Sequence, residues 1–369
     1  MLEKIWGHLS YFLSDFWQYL LLVTIITLLG VFATLFVVRL TSTPGKKKLL
    51  FTLLCIFISF IYIFTSFEAY FRYIFDQSDS IGFLLVSQKW NKRHVVFNNY
   101  QYRDRDFTYP KKNDTVRIGV MGDSNAFGFG IKDPQNRFSN ILEKKLRARG
   151  YTVEVYNFGV SGYDTMQEIQ EYQRVKHLGF NILVWEYFLN DVQEGEQSTG
   201  RKVLQDAQKE DGGIITFLDK NSYFFNYIHW RLSAKYSNTF LKIRNADLKQ
   251  YDNQAVFSRH KQRINNFSKT LREKKIKTVV LVLPFFYFFP DYPKNAIAIH
   301  KRIDTIFTNN GATVVDMLHY LQGKRSRDLI VGPYDSHPNE YVHILAADKL
   351  YEVIAPLLTK EKGKTVLKN

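Results

Sequence analysis

Thiols are almost absent from this sequence, which has one cysteine, Cys55, in 369 residues. No disulfide can therefore form within the chain, and a region after residue 75 without any thiol suits an oxidising compartment. No group of Cys, His, Asp and Glu has the spacing of a metal site. The glycines of residues 122–130 are not followed by Lys-Ser or Lys-Thr, so they do not form a phosphate-binding loop. We expect no metal and no cofactor.

Charged residues are missing from two long stretches near the N-terminus. Residues 16–38 form an uncharged run of 23 positions, and residues 49–67 form another of 19. At about 1.5 Å per residue in a helix, either run can cover a hydrocarbon core of roughly 30 Å. The sequence therefore predicts a two-pass membrane anchor over residues 1–75. Buried core helices, or a cleaved signal peptide for the first run, are the alternatives.

The loop between the two runs is basic and sets the expected orientation. It holds Arg39 and the lysines 46–48, whereas only Lys4 precedes the first run. Because short cytoplasmic loops concentrate Lys and Arg, we expect this loop inside and both termini outside. The chain beyond residue 75 is then extracytoplasmic, either periplasmic or on the cell surface. Basic residues between positions 72 and 93 favour the opposite orientation less strongly.

The formal net charge is +15. Residues 1–75 hold six basic and three acidic residues and so contribute +3 of that charge. The basic residues that follow are scattered and accompany no nucleic-acid motif, so we expect no nucleic-acid partner. A solvated surface explains most of them. In an anchored chain, the lipid bilayer or an anionic glycan is the better candidate partner.

Beyond a connector at residues 76–112, strand-like and helix-like patterns alternate. Unbroken apolar strands that alternate with amphipathic helices are typical of a parallel sheet covered on both faces. An aromatic-rich insertion at about 192–254 and a basic tail at 359–369 interrupt or follow this pattern. The predicted strands are 115–122, 151–159, 181–191, 277–284 and 312–318, and the predicted helices are 136–149, 164–179, 257–275, 294–309 and 338–358.

Polar residues follow several of these strands, in the segments GDSN, NFGVSGYDT and FLND, and a fourth polar segment, YDSHPN, precedes the last helix. Each segment alone is common at turns. In a doubly wound sheet, however, the carboxyl ends of the strands border one crevice. Their occurrence in this order therefore indicates one shared site.

These segments contain what acyl transfer through serine requires. Ser124 can serve as nucleophile, His337 as its base and Asp335 as the group that orients the base. The backbone N–H groups of Ser124 and Gly162, with the side-chain amide of Asn190, can stabilise the oxyanion. Gly162 suits that role because no side chain blocks its N–H, and Asn190 because a neutral amide does not titrate.

On these segments the chain resembles the SGNH (GDSL-type) hydrolase superfamily, whose four letters fall on Ser124, Gly162, Asn190 and His337. The resemblance covers residues 113–358. It implies a flavodoxin-like three-layer α/β/α sandwich and a metal-free serine esterase, lipase or acyltransferase.

Two departures accompany the resemblance. Asn125 stands where leucine is common, and Asp335 precedes the histidine by two residues rather than the commoner three. A Ser-His pair oriented by a backbone carbonyl therefore stays open as an alternative. Asp123 and Asp191, beside Ser124 and Asn190, are expected supporting residues.

Other polar and aromatic residues are weaker candidates. We expect His319 and His343 to be packed or surface histidines, and Glu186 to be either a supporting partner or a residue at a strand edge. The aromatic residues of 283–293 and 223–230 can stack on sugars, line an acyl pocket, contact the bilayer surface or cover the sheet edge.

The sequence thus predicts a membrane-anchored serine esterase that cleaves an O-acyl ester on an extracytoplasmic glycan or lipid. One alternative is an O-acyltransferase that modifies an envelope polysaccharide together with a membrane-embedded acyltransferase. A second alternative is a catalytically silent glycan-binding module.

Overall fold

The computed structural model describes residues 2–41, 43–192, 202–203, 205–206, 212–361 and 364–368. The chain divides into two compact units. The first, which we call the helical unit, comprises residues 1–77, 84–89 and 210–233. The second, the sheet unit, comprises residues 78–83, 90–209 and 234–369.

Two long helices dominate the helical unit, α1 (Leu2–Leu40) and α2 (Pro44–Ala69), and a π-helical turn, Tyr70–Ile74, extends α2. Pro44 suits the first turn of α2, where the missing N–H would have no helical partner anyway. The segments Tyr19–Leu40 and Pro44–Ile74 are long and apolar enough to cross a membrane. Their apolar side chains are mostly exposed, which is not the pattern of helices from a soluble core.

A third helix, α3 (Leu85–His94), begins in the helical unit and ends in the sheet unit. The sheet unit contains five parallel strands: β1 (Val116–Met121), β2 (Val153–Asn157), β3 (Ile182–Phe188), β4 (Lys277–Leu283) and β5 (Thr313–Asp316). Their order is β2-β1-β3-β4-β5. β1 and β3 are buried along their whole length, as expected for strands covered on both faces. The predicted α/β fold class is confirmed.

Helices cover both faces of this sheet. Between β1 and β3 come α4 (Ser124–Phe127), α5 (Phe138–Ala148) and α6 (Thr165–Val175). Trp185 and Tyr187, which point to the same face of β3, pack against Phe307, and Trp185 also packs against Phe267. Those phenylalanines belong to two of the later helices, described next.

Two helices of the predicted insertion, α7 (Gly213–Asn221) and α8 (Tyr223–Leu232), belong to the helical unit. The sheet unit continues with α9 (Ala234–Gln250), α10 (Gln254–Glu273) and α11 (Lys294–Asn309). Much of the insertion's first part, residues 193–201, 204 and 207–211, lies outside the described residues. The insertion is therefore helical where it is described, and it contributes to both units.

The C-terminal part contains a short antiparallel pair, β6 (Ile330–Gly332) and β7 (Asp335–Pro338), then α12 (Glu340–Ile354), which packs on α5. The expected basic tail contains a hairpin of β8 (Leu358–Glu361) and β9 (Lys364–Leu367). The hydroxyl of Thr365 accepts a hydrogen bond from the N–H of Thr152 at 2.7 Å. This part of the tail is ordered by backbone pairing, which the positive charge of the segment does not reveal.

The predicted connector, 76–112, is also more than a linker. Tyr102 and Phe107 are buried in the core of the sheet unit, and Phe107 stacks on Tyr156 with ring centroids 4.3 Å apart. Arg103 is 1% exposed. These three residues lie after α3, in a part of the segment without helix or strand, so their packing left no periodic pattern in the sequence.

Candidate active site

β1 ends at a turn that only glycine can form. A Cβ atom on Gly122 would lie 2.4 Å from Oε2 of Glu186 and 2.8 Å from Cβ of Ala126. Asp123 then caps α4, because its Oδ1 accepts hydrogen bonds from N and Nδ2 of Asn125 at 2.8 and 2.9 Å. Ser124 is therefore the first residue of a short helix at the carboxyl edge of the sheet.

The structure brings three predicted residues into one hydrogen-bonded chain. Nε2 of His337 lies 2.8 Å from Oγ of Ser124, and Nδ1 of His337 lies 2.5 Å from Oδ1 of Asp335. If Nδ1 carries the proton, it donates to Asp335 and leaves Nε2 to accept the hydroxyl proton of Ser124. The arrangement has the order of nucleophile, base and orienting acid.

The two-residue spacing between Asp335 and His337 follows from the conformation of β7. In an extended strand, residues two positions apart point to the same face. β7 is such a strand, paired with β6, so both side chains face Ser124 together. The spacing that departs from the commoner family pattern therefore still delivers the acid to the imidazole.

Asp335 is fully buried, and its environment favours the ionised carboxylate. Burial alone raises the pKa of this carboxyl, but the charge and hydrogen bonds of His337 outweigh it and hold the pKa below its usual value. Ser80 supports the same group: its hydroxyl donates to Oδ1 of Asp335 at 3.3 Å and accepts from the N–H of Ser336 at 2.8 Å. Ser80 carries no sequence signal of such a role.

The glycine-rich loop after α4 packs against the base and the acid. The ring of Phe129 lies 5.0 Å from that of His337. Gly130 has a φ of +86°, and a Cβ there would lie 2.9 Å from Oδ2 of Asp335. Arg103, from the predicted connector, donates to the carbonyl oxygens of Gly128 and Ile131 at 2.6 and 2.5 Å. This arginine therefore fixes a loop that contacts the candidate catalytic residues.

Gly162 and Asn190, the expected oxyanion residues, lie on the loops that follow β2 and β3. The β2 loop is tied to the nucleophile turn, since Val160 N–H donates to the carbonyl oxygen of Gly122 at 3.1 Å. Gly162 has a φ of +82°, and nothing lies within 4 Å of the position of a Cβ there. Oδ1 of Asn190 is buried and has no hydrogen-bond partner among the described residues. The positive φ accounts for glycine at position 162, whereas no hydrogen bond among the described residues accounts for the buried amide oxygen of Asn190.

The two supporting aspartates have structural contacts at their own strand ends. Asp123 caps α4, and Oδ2 of Asp191 accepts from the N–H of Phe188 at 2.8 Å, which closes the turn after β3. Burial, together with the neighbouring carboxylates Glu168 and Asp123, raises the pKa of Asp191 well above its usual value.

Glu186 is the supporting residue that the sequence left undecided. It lies within β3, is 0% exposed, and its Oε2 accepts from the N–H of Asp123 at 3.1 Å. Burial, with the nearby carboxylates of Asp123 and Glu168, raises its pKa well above the usual value. Glu186 is thus a buried acid in direct contact with the nucleophile turn.

His343 and His319, the two other histidines considered from the sequence, are a packed and a surface residue, as expected. Nδ1 of His343 accepts from the N–H of Phe138 at 3.2 Å and so caps α5. Burial lowers the pKa of His343 to about 3, which keeps its ring neutral. The side chain of His319 is 63% exposed, and with Asp304 and Asp316 it forms a group that could hold a metal ion. Asp316 in that group already accepts from His300 at 3.0 Å.

The aromatic segment after β4 mainly covers the sheet. Phe285 and Phe286 are each 1% exposed, and Phe285 packs edge-on against Phe188. Tyr287 instead lines a small cavity in the sheet unit. The other residues that line this cavity are Ser80, Tyr236, Ser237, Phe240, Pro333, Tyr334 and Ser336.

The sequence matches no protein-family model and no curated protein. In structure the chain is similar to a lipase/acylhydrolase from Enterococcus faecalis, at 12% identity over 69% of this chain and 99% of that one, with a TM-score of 0.39. It is also similar to a member of the lipolytic protein G-D-S-L family from Veillonella parvula DSM 2008, at 14% identity over 66% and 100%, with a TM-score of 0.36.

A third similar structure is an acetyl xylan esterase, at 13% identity over 65% of this chain and 100% of that one, with a TM-score of 0.39. Identities this low do not transfer an activity to this chain, whose chemistry must be argued from its own side chains.

Proposed function

We propose that this chain is a membrane-anchored serine hydrolase that cleaves O-acyl esters, with Ser124 as nucleophile, His337 as base and Asp335 as orienting acid. The observation that carries the proposal is the continuous chain of hydrogen bonds from Ser124 through His337 to Asp335. Serine and histidine side chains form many hydrogen bonds in proteins. A buried, ionised carboxylate on the far nitrogen of the imidazole is the feature that suits base catalysis.

In the first half of the reaction, Oγ of Ser124 attacks the carbonyl carbon of the ester while Nε2 of His337 takes the hydroxyl proton. The carbonyl oxygen becomes an oxyanion, for which the N–H groups of Ser124 and Gly162 and the amide of Asn190 are the proposed donors. The tetrahedral intermediate collapses by breaking the bond to the alcohol oxygen. His337 gives its proton to that oxygen, and the acyl group stays on Ser124.

In the second half, water enters and His337 takes one of its protons. The resulting hydroxide attacks the acyl carbon, and the bond to Oγ breaks as His337 returns the proton to Ser124. The products are a carboxylic acid and regenerated enzyme. Throughout both halves, Asp335 keeps Nδ1 protonated and stabilises the imidazolium when it forms.

The proposed substrate is an acyl ester on an extracytoplasmic glycan or lipid. The two apolar helices support a membrane location, and the basic loop between them supports an orientation with the sheet unit outside the cytoplasm. If an acceptor hydroxyl rather than water attacks the acyl group, the same residues transfer the acyl group instead of hydrolysing the ester.

Removal of the nucleophile tests the reaction. We expect Ser124→Ala to abolish labelling by a fluorophosphonate probe and to abolish turnover of short- and long-chain p-nitrophenyl esters. The free energy of unfolding should stay within about 1 kcal/mol of the parent, since the change breaks no packing. Ser268→Ala, which removes a buried hydroxyl from α10, is the matched control and should label normally. Parental labelling of Ser124→Ala would disprove the serine mechanism.

The orientation has its own test, which uses the single native thiol. In a Cys55→Ser background, a cysteine at Thr43 in the basic loop should resist membrane-impermeant thiol reagents in intact cells. A cysteine at Lys269, whose side chain is 71% exposed, should react. The reverse pattern would place the sheet unit in the cytoplasm without affecting the proposed chemistry.

Hydrolysis and transfer can be separated by their products. Purified protein is incubated with an acetyl ester in the presence and absence of de-acetylated envelope glycan, and released acetate is compared with glycan-bound acetate. Acetate release that does not depend on the glycan supports the esterase. Acetate that becomes bound to the added glycan supports the acyltransferase.

A further inference from the structure

One short helix of the helical unit exposes large apolar side chains. In α7, Ile214, Ile215 and Phe217 are 68%, 57% and 60% exposed. Three such residues within four positions form an apolar surface that a water-facing helix rarely carries. The C-terminal half of the helix contacts α8, because Oδ1 of Asp219 accepts a hydrogen bond from the ring of His229 at 2.9 Å.

The position of α7 is fixed by a charged residue at the end of α2. The carboxylate of Glu68 accepts from the Ser222 hydroxyl at 2.7 Å and from the N–H groups of Tyr223 and Phe224 at 3.1 and 2.9 Å, so it caps α8. Arg72 donates to the carbonyl oxygen of Asn221, the last residue of α7, at 2.7 Å. The junction between α7 and α8 thus lies beside residues 68–72.

Residues 68–72 are also where the hydrocarbon layer should end. Glu68 is the first charged residue after the uncharged run 49–67, and it pairs with Arg72 at 2.8 Å. Phe224 reaches back onto that run, with its ring 5.5 Å from Phe64 and 5.0 Å from Phe67. The start of α8 therefore spans the boundary between the apolar run and the first charged groups.

The chemistry of this level is that of a membrane interface. The guanidinium of Arg72 lies 5.0 Å from the ring centroid of Tyr223, and the ammonium of Lys89 lies 5.2 Å from the same ring. Tyrosine with arginine and lysine is the combination that anchors proteins among lipid headgroups. Within the uncharged run that precedes Glu68, α2 exposes Phe57, Phe60 and Ile63 as a lipid-facing surface.

We propose that α7 is an interfacial helix whose residues Ile214, Ile215 and Phe217 insert into the boundary between headgroups and acyl chains of the same bilayer that α2 spans. The occupant of this apolar surface is lipid because α7 ends beside Glu68 and Arg72, at the end of the apolar run with which α2 spans the bilayer. The inference rests on the membrane anchor of the proposed function. It adds a third membrane contact from a segment 140 or more positions further along the chain.

The test uses the full chain in vesicles and a fluorophore attached to single cysteines. In a Cys55→Ser background, Ile214→Cys is labelled in detergent with an environment-sensitive nitrobenzoxadiazole dye and reconstituted into phosphatidylcholine vesicles. Lipids brominated near the headgroup should quench most of its fluorescence, and lipids brominated deep in the chain should quench less. Aqueous iodide should quench little. Phe217→Cys, one turn along, should behave in the same way.

Two reference positions make every outcome decisive. The native thiol, Cys55, lies within the uncharged run of α2, so a dye there should be quenched by deep bromines. A dye at Lys269→Cys in the sheet unit should be quenched by iodide only. If Cys55 behaves as expected but the Ile214 dye is quenched by iodide, the interfacial helix is disproved and the anchor stands.

Protection of the Ile214 and Phe217 dyes from both quenchers would also overturn the proposal, because protein would then cover α7. Dilution to one chain per vesicle separates the two sources of such cover. Iodide quenching that appears only on dilution indicates a second copy, and persistent protection indicates another segment of this chain. If iodide quenches the dye at Cys55, the membrane anchor itself is wrong.

Discussion

Asp335 and Glu186 are both fully buried carboxyl groups of the sheet unit, and their environments shift the pKa in opposite directions. Burial raises the pKa of both, because it disfavours the charged form. Asp335 faces the imidazole of His337, which can carry a positive charge, and that contact reverses the effect of burial. Glu186 faces other carboxyl groups, Asp123 and Glu168, which add to it. The environment thereby favours the ionised form of Asp335 and the neutral form of Glu186.

The contrast assigns different work to the two residues. An ionised Asp335 stabilises a protonated His337 and selects the tautomer that leaves Nε2 free to act as base. A neutral Glu186 cannot do this, but its oxygen can still accept the N–H of Asp123 and hold the turn that presents Ser124. Burial alone therefore does not identify a catalytic acid. The charge of the neighbouring group does.

The largest effect should come from removing the charge of Asp335 without changing its shape. We expect Asp335→Asn to lower the turnover number about 10⁴-fold, because the amide no longer fixes the productive tautomer. Steady-state kinetics with a p-nitrophenyl ester measures it, and Asp328→Asn, an exposed carboxylate paired with Arg325, is the control. A loss of less than about tenfold would instead favour the Ser-His pair oriented by a backbone carbonyl.

The same substitution should change how stability depends on acid. The folded pKa of Asp335 lies below its unfolded value, so the folded state binds this proton less tightly. The stabilisation is therefore complete above the unfolded pKa of about 4 and is lost as the pH falls through the lower folded pKa. Urea unfolding between about pH 5 and about pH 2 should show a smaller acid-induced loss in Asp335→Asn than in the parent. Equal losses would mean that the carboxylate is not stabilised in the folded state.

The sequence was sufficient to predict most of the sheet unit. All five strands of the parallel sheet lie within the predicted ranges, because buried parallel strands are unbroken apolar runs. Ser124 and His337, the proposed nucleophile and base, were also predicted from the sequence, since they stand where strand or helix patterns change. Asp335 was less certain because it precedes His337 by two residues rather than the commoner three. The strand β7, which is too short to recognise from the sequence, explains that spacing.

Ser80 and Arg103 could not be identified in the same way, and Glu186 was left undecided. Ser80 is 255 positions from Asp335, and a single serine in an irregular segment has no distinctive pattern. Arg103 contacts backbone carbonyl oxygens, which any sequence provides. Glu186 interrupts an otherwise apolar strand, and that interruption was the one available signal. Contacts that depend on tertiary placement rather than periodicity thus remain outside the reach of sequence reasoning.

A smaller effect is expected from Ser80, whose hydroxyl donates to Oδ1 of Asp335. Loss of its hydroxyl removes one hydrogen bond to the carboxylate, worth about 1 kcal/mol, so Ser80→Ala should lower the turnover number less than about tenfold. KM should not change, and the pH profile of kcat should shift. Ser237→Ala removes a hydroxyl that lines the same cavity but bonds the carbonyl oxygen of Ala234 instead. If Ser80→Ala and Ser237→Ala change the turnover number and the pH profile of kcat equally, then Ser80 acts by lining the cavity and not by its hydrogen bond to Asp335.

The smallest effect on turnover is expected at Glu186, and it separates the two carboxyl groups most directly. Glu186→Gln keeps an oxygen for the N–H of Asp123 and has the uncharged form that the raised pKa already favours, so turnover should stay close to the parental value. The contribution of Glu186 to stability should depend on pH in the direction opposite to that of Asp335. Because the folded pKa of Glu186 lies above its unfolded value of about 4.3, its stabilisation is complete below that pH and is lost as the pH rises through the folded pKa.

The Glu186→Gln side chain cannot lose a proton, so this variant should not show the loss of stability that ionisation of Glu186 causes in the parent. Urea unfolding from about pH 5 to about pH 9 should therefore show that the free energy of unfolding of the variant rises relative to that of the parent as the pH rises. Glu186→Ala is the contrasting variant: it leaves the N–H of Asp123 without its acceptor and should destabilise the turn at every pH. A Glu186→Gln variant that loses activity as severely as Asp335→Asn would show that Glu186 acts as an anion. In that case the difference between the two buried acids, ionised beside a histidine and neutral beside carboxyl groups, would not hold.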